Sequence, residues 1–167
     1  MEQIRNKVAE SGILTLDLEN YYPAEEVVEF DLKPFLFMEM ILKEKEFREK
    51  IENHDWTQYQ NKTVAVFCSA DAILPMWAFM LVASKLADQT TAVFLGNKES
   101  CIQDLCVRNI KRIDTSAFLD KRVVVKGCGD KPIPEAAYLE IANRLTPVVK
   151  SLMYGEPCST VPVFKRK

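Results

Sequence analysis

The stretch Thr63-Val64-Ala65-Val66-Phe67-Cys68, continuing through SADAILP (69–75) into MWAFMLVASKL (76–86), decides the fold. Six uncharged, mostly β-favouring residues ended by small polar ones read as a strand covered on both faces. The apolar run from about Leu74 to Leu86 that follows is long enough for a helix, and Thr91–Leu95 supplies the next strand of a βαβ unit. The same alternation continues with a helix from about Glu99 to Ile113, a strand at Lys121–Lys126, and a helix opening near Pro134 and ending about Leu145. Residues 61–167 therefore predict a βαβ-type core, and the whole chain an α/β fold. The expectation is a single, three-layer-like domain with a mostly parallel central sheet of four to six strands.

Outward from that core the pattern weakens. Residues 1–60 read as a small N-terminal β/α extension: short strands at Ile13–Leu18 and Val27–Leu32, forming an antiparallel appendage, then helix between Phe35 and Glu52, bent near Leu42. The tail offers extended segments at Lys150–Tyr154 and Thr160–Phe164, where Pro162 suggests an edge strand. No repeat with a period of 20–50 residues is evident, and no low-complexity tract or linker. The helix over 74–86 is apolar nearly all round, which fits burial first and a homodimer surface second.

Composition narrows the functional classes. With 22 basic against 24 acidic residues the net charge is -2, so no global basic field points to nucleic acid or to an anionic membrane. No apolar run approaches a membrane span or a signal core, so a cytoplasmic location is expected and the five cysteines are expected to be reduced. An odd number of thiols cannot close entirely into internal disulfides. Burial, metal binding or reactivity must account for them.

The five divide by their neighbours. Cys101 and Cys106 share a helix with Ile102, Leu105 and Ile110, and free cysteine in such a setting is ordinarily core filler. Cys68, Cys128 and Cys158 instead stand beside small polar residues, in Cys68-Ser69-Ala70-Asp71, Gly127-Cys128-Gly129-Asp130 and Glu156-Pro157-Cys158-Ser159. If the strands before Cys68 and Cys128 are neighbours in one parallel sheet, both thiols emerge at its carboxyl edge, where α/β sheets place their sites. Three thiolates there would suit zinc, iron or an iron–sulfur cluster, with Asp71, Glu156 or His54 as weaker candidates for the fourth ligand or a supporting role. No C-x-x-C occurs, so such a site would be assembled from distant segments. The alternative is a metal-free thiol enzyme or sulfur carrier: Cys68 precedes a helix and Cys128 lies near Lys126 and Lys131, settings that favour a nucleophilic thiolate. His54, the chain's one histidine, reads first as a helix C-terminal cation or a packed polar residue and only second as a functional group. Gly127-Cys128-Gly129 lacks the third glycine of a dinucleotide fingerprint, and no Walker loop, G-x-S-x-G or H-E-x-x-H is present.

The segments HDWTQYQ (54–60), CSADAILP (68–75), KGC (126–128) through Pro134, and YGEPCSTVP (154–162) together resemble a bacterial family catalogued as domain of unknown function 2480. The likeness spans the whole chain and carries no activity with it. It implies at most the company of iron–sulfur cluster assembly proteins as partners. Cys68, Cys128 and Cys158 fall within the shared segments; Cys101 and Cys106 fall outside them. Three functions follow as expectations: a thiolate metal or iron–sulfur protein, a metal-free thiol protein, or an interaction scaffold without chemistry.

Overall fold

In a computed structural model that describes residues 12–156 and 158–167, the strands form two sheets, not one. The chain divides accordingly into two units, Ala24–Ile102 (unit 2) and the described residues of Met1–Pro23 with Gln103–Lys167 (unit 1). The sheet of unit 1 contains β1 (Ile13–Asp17), β5 (Arg122–Lys126), β6 (Ser151–Glu156) and β7 (Ser159–Lys165), in the order β1-β5-β6-β7. Its first three strands are parallel and β7 returns antiparallel to β6. The sheet of unit 2 contains β2 (Val27–Asp31), β3 (Thr63–Phe67) and β4 (Ala92–Leu95), all parallel, with β3 in the middle. The architecture is α/β, as its alternation requires.

Two expectations are corrected here. The strands Ile13–Asp17 and Val27–Asp31 form no antiparallel appendage: each completes the edge of a different parallel sheet, β1 beside β5 and β2 beside β3. The physical reason lies in the middle strands. β3 and β5 are apolar along consecutive residues, with Val64, Ala65, Val123 and Val124 all fully buried, and such strands need a neighbour on each side as well as cover on both faces. The helix expected from Phe35 is also shorter. Met38 and Glu39 both have positive φ (49° and 57°), Phe37 pairs with Ile41 in an isolated bridge, and α1 begins only at Glu44, ending at Glu52. The remaining helices are α2 (Met76–Leu86), α3 (Lys98–Lys111), within which the division between the units falls, and α4 (Glu135–Leu145). Among the described residues no helix is long and apolar enough to cross a membrane.

The two units are built on one plan, and corresponding positions lie 59 residues apart. Strand β3 starts at Thr63 and β5 at Arg122; α2 runs from Met76 to Leu86 and α4 from Glu135 to Leu145. Each of these helices is entered from an extended proline, Pro75 or Pro134, whose carbonyl accepts the amide of Ala78 or Ala137. Both alanines are fully buried, followed at i+4 and i+8 by Val82 and Leu86 or by Ile141 and Leu145, the stripe that seats each helix. Before the strands, Asp55 accepts the Thr57 amide and Asp114 accepts that of Ser116; Asn61 and Asp120 both adopt left-handed φ, 61° and 53°, which these residue types tolerate. After the helices, Gly96 and Gly155 both have φ near +120°. Even Phe47 and Ile51 of α1 find their counterparts in Cys106 and Ile110 of α3, all buried. The first strands match at a different interval: Leu16-Asp17-Leu18 and Phe30-Asp31-Leu32 sit 14 residues apart, each with its aspartate at the carboxyl end. Unit 2 is thus inserted between the first strand and the remainder of unit 1. A search for simple tandem periods misses such an interleaved duplication.

Candidate functional site

Both sheets end on an aspartate, and the use made of it differs. In unit 2, Asp31 stands opposite Phe67 in register and both its carboxylate oxygens are engaged: Oδ1 accepts the Lys33 amide (2.9 Å) and the Ser69 amide (2.9 Å), and Oδ2 accepts the Ser69 hydroxyl. Burial alone would raise this carboxyl, but the Ser69 hydroxyl, the two amides and the Lys33 charge outweigh it and hold Asp31 below the usual aspartate value. A depressed carboxyl contributes stability that is present above the unfolded value near 3.8 and is lost as pH falls through the lower folded one. Asp31→Asn is therefore expected to flatten the acid limb of the stability profile. Urea midpoints from pH 6 to pH 3, followed by the fluorescence of Trp56 and Trp77 in unit 2, check this; a variant profile parallel to that of wild type would remove Asp31 from the account.

In unit 1 the same position opens into a pocket. Asp17 stands opposite Lys126; its Oδ1 accepts the Glu19 amide (3.0 Å) and its Oδ2 lies 3.2 Å from the Lys126 ammonium, which is also 3.7 Å from Glu156 Oε1. The hydrogen bond and charge of Asp17, with the charges of Glu156 and Glu19, hold the Lys126 ammonium above its usual pKa. These residues, with Cys128, Gly129 and Asp130, line a polar cavity of about 200 Å³ at the carboxyl ends of β1, β5 and β6. Open α/β sheets carry their ligands at such an edge. Cys128 is exposed, and its Sγ lies 2.7 Å from Tyr154 Oη. The contact with that sulfur holds the Tyr154 phenol above its usual pKa, and either group can be the donor in it. Tyr138 packs edge-on against Tyr154, with ring centroids 5.8 Å apart. A Cβ on Gly127 would come within 2.6 Å of the Tyr138 hydroxyl, so glycine is what lets that ring lie over the strand end beside Cys128. Burial first, then Tyr154, Cys128, Glu19 and Asp17, push the Tyr138 phenol up to about 12.

Behind the two tyrosines lies a second cavity of the same unit, an apolar groove of about 490 Å³ between α4 and strands β5, β6 and β7. Tyr138 and Tyr154 belong to its lining, and the Tyr154 hydroxyl is the group in contact with the Cys128 sulfur.

Of the residues singled out in the sequence, Cys128 and Glu156 line the polar cavity. Cys158 is exposed in the β6–β7 turn and is not part of that lining. The other three belong to unit 2. Cys68 is half-buried and lines a separate pocket of about 370 Å³ with Phe67, Leu74, Phe79 and Leu95, and Asp71 is exposed in the same loop. His54 lies edge-on to Phe30, Phe35 and Trp56, with Nε2 3.2 Å from Tyr59 Oη; burial holds its pKa down against the opposing charge of Asp55. Cys68 and Cys128 would emerge at one sheet edge only if β3 and β5 were neighbours, and that premise is overturned because the two strands belong to different sheets. The 59-residue correspondence adds that Cys68 matches Gly127, while Cys128 matches Ser69. Among the described residues no group of three His, Cys, Asp or Glu side chains is arranged to hold a metal ion. Asp17, Glu19, Tyr138 and Tyr154 had no signal of their own in the sequence, although the shared Asp-Leu at the ends of β1 and β2 marks Asp17 once the two strands are compared.

A family model described as a protein of unknown function (DUF2480) matches residues 2–166. No curated protein and no solved structure matches the chain.

Proposed function

The chain belongs to this DUF2480 family, whose description leaves function open, and from its site we propose a thiol-based protein in which Cys128 is the reacting group. The observation that carries the reading is the 2.7 Å contact between an exposed Cys128 sulfur and the Tyr154 hydroxyl, at the rim of a polar cavity that also holds an ammonium. A hydroxyl in contact with the sulfur is placed to exchange a proton with it as the thiol reacts. The role that fits is acceptance of a transferred group on sulfur, as in a thiol enzyme or a sulfur carrier. A zinc, iron or iron–sulfur site on Cys128, Cys158 and Glu156 is the competing reading, and iron–sulfur assembly partners would go with it. The Lys126 ammonium is shared between Asp17 and Glu156; what weighs against the metal reading is that, among the described residues, no three His, Cys, Asp or Glu side chains are grouped as ligands.

Two measurements on the full chain test this together. Limited alkylation of native protein, mapped by mass spectrometry, is expected to mark Cys128 first; Cys106, fully enclosed and with its thiol pushed up to about 11 by burial, should stay unmodified until unfolding. Tyr154→Phe is expected to slow Cys128 severalfold by removing the hydroxyl in contact with its sulfur. Elemental analysis of anaerobically purified protein provides the opposing outcome: near-stoichiometric zinc or iron that is lost in Cys128→Ser and Cys158→Ser, but retained in Cys101→Ser, would replace the thiol reading with the metal one.

A further inference from the structure

The groove behind Tyr138 and Tyr154 points to the class of substrate, on the premise that Cys128 is the reacting thiol. Val125, Leu139, Leu152 and Val163 line it, and Leu139 and Val163 remain 70% and 57% exposed, so a hydrocarbon-binding surface stands open to solvent. Its lining offers almost no hydrogen-bonding groups apart from the tyrosines and Glu135. Such a lining suits a hydrocarbon chain, which needs no hydrogen-bond partners. The volume lies within the range of small-molecule sites. What narrows the occupant further is Tyr154, which lines the groove and whose hydroxyl meets the Cys128 sulfur. A molecule whose apolar tail lies in the groove would thus be in contact with a residue that touches the thiol.

We infer that the groove holds the hydrocarbon chain of an acyl thioester and that Cys128 accepts the acyl group. The Cys128 thiolate adds to the thioester carbonyl carbon, forming a carbon–sulfur bond. The tetrahedral species then collapses by breaking the bond to the donor sulfur, which leaves as a thiolate and takes a proton from water. One thioester is exchanged for another, so no oxidant or reductant is required. The Tyr138 hydroxyl has no hydrogen-bond partner among the described residues and lies over Gly127, where it can donate to the carbonyl oxygen as charge develops there.

The test uses the full-length chain with acetyl and octanoyl thioesters of N-acetylcysteamine, reading Cys128 acylation by intact mass and peptide mapping. Because each buried methylene contributes to binding, octanoyl transfer is expected to be at least about tenfold faster than acetyl transfer. Leu139→Glu and Val163→Glu, both at exposed positions, should bring the octanoyl rate down to the acetyl rate. Equal rates for the two donors in wild-type protein would overturn the acyl inference. Iodoacetamide labelling of the same preparation separates the two levels: rapid labelling of Cys128 with equal acyl rates leaves the thiol reading standing and removes the acyl one. Labelling no faster than that of Cys106, with no acylation, removes both.

Discussion

Phe47→Ala is expected to destabilise unit 2 by about 4 kcal/mol, the range found when a fully enclosed aromatic side chain is cut back to a methyl group. Phe47 is 0% exposed, and its ring meets Trp77 edge-on at 5.8 Å and Phe35 at 6.5 Å. Truncation removes both aromatic contacts, and the surrounding helix and loop cannot collapse fully into the space. The corresponding position in unit 1 is Cys106, 2% exposed, where much less volume is at stake. Cys106→Ala should cost about 1 kcal/mol. Both tryptophans, Trp56 and Trp77, lie in unit 2, so their fluorescence during urea unfolding follows that unit. If Phe47→Ala shifts that transition no further than a surface substitution does, the assignment of Phe47 to the centre of the unit 2 core is wrong. A large loss from Cys106→Ala would contradict the volume argument instead.

That pair of positions also explains what the sequence could and could not disclose. Strand–loop–helix units over 63–86 and 122–145 were legible because consecutive valines, a loop of small residues, a proline and a helical stripe are local signals. Which strands pair was not legible. β1 and β2 are five-residue strands whose partners lie some 36 to 109 positions further along the chain, and nothing in Ile13–Asp17 by itself selects Arg122–Lys126 over Thr63–Phe67. Assuming one sheet then followed naturally, and it carried Cys68 into a common site with Cys128. The duplication hides for a related reason: buried positions are matched in character more often than in identity, as Phe47 and Cys106 or Val82 and Ile141 illustrate, and one copy interrupts the other. At the site, Cys128 and Glu156 could be found because a thiol or carboxylate beside glycine or proline at a strand end is a local pattern. Tyr154 could not, since a tyrosine inside a strand reads as packing until its hydroxyl is seen 2.7 Å from a sulfur.

Gly155→Ala is the second substitution expected to have a large effect, and the duplication supplies its control. Gly155 has φ +116° and Gly96 has φ +122°, so a side chain at either is held in a backbone conformation that costs on the order of 1–3 kcal/mol. The surroundings then separate them. An alanine methyl at 96 would meet the Ser100 hydroxyl, a group that can rotate away, whereas at 155 it would lie 2.7 Å from the Ser159 carbonyl oxygen. That carbonyl is backbone of the β6–β7 hairpin, in which Gly155 pairs with Thr160 and Glu156 with Ser159, so it can yield only by shifting the register or opening the turn. The expected cost is about 2–4 kcal/mol for Gly155→Ala and about 1–3 kcal/mol for Gly96→Ala. Urea unfolding followed by circular dichroism measures both, and amide exchange across 151–165 should show lost protection in the first variant alone. Because Tyr154 immediately precedes the glycine, opening the hairpin should also loosen the hydroxyl from Cys128 and slow the alkylation of that thiol. Full retention of both exchange protection and Cys128 reactivity in Gly155→Ala would mean that neither the hairpin nor the site depends on this close approach.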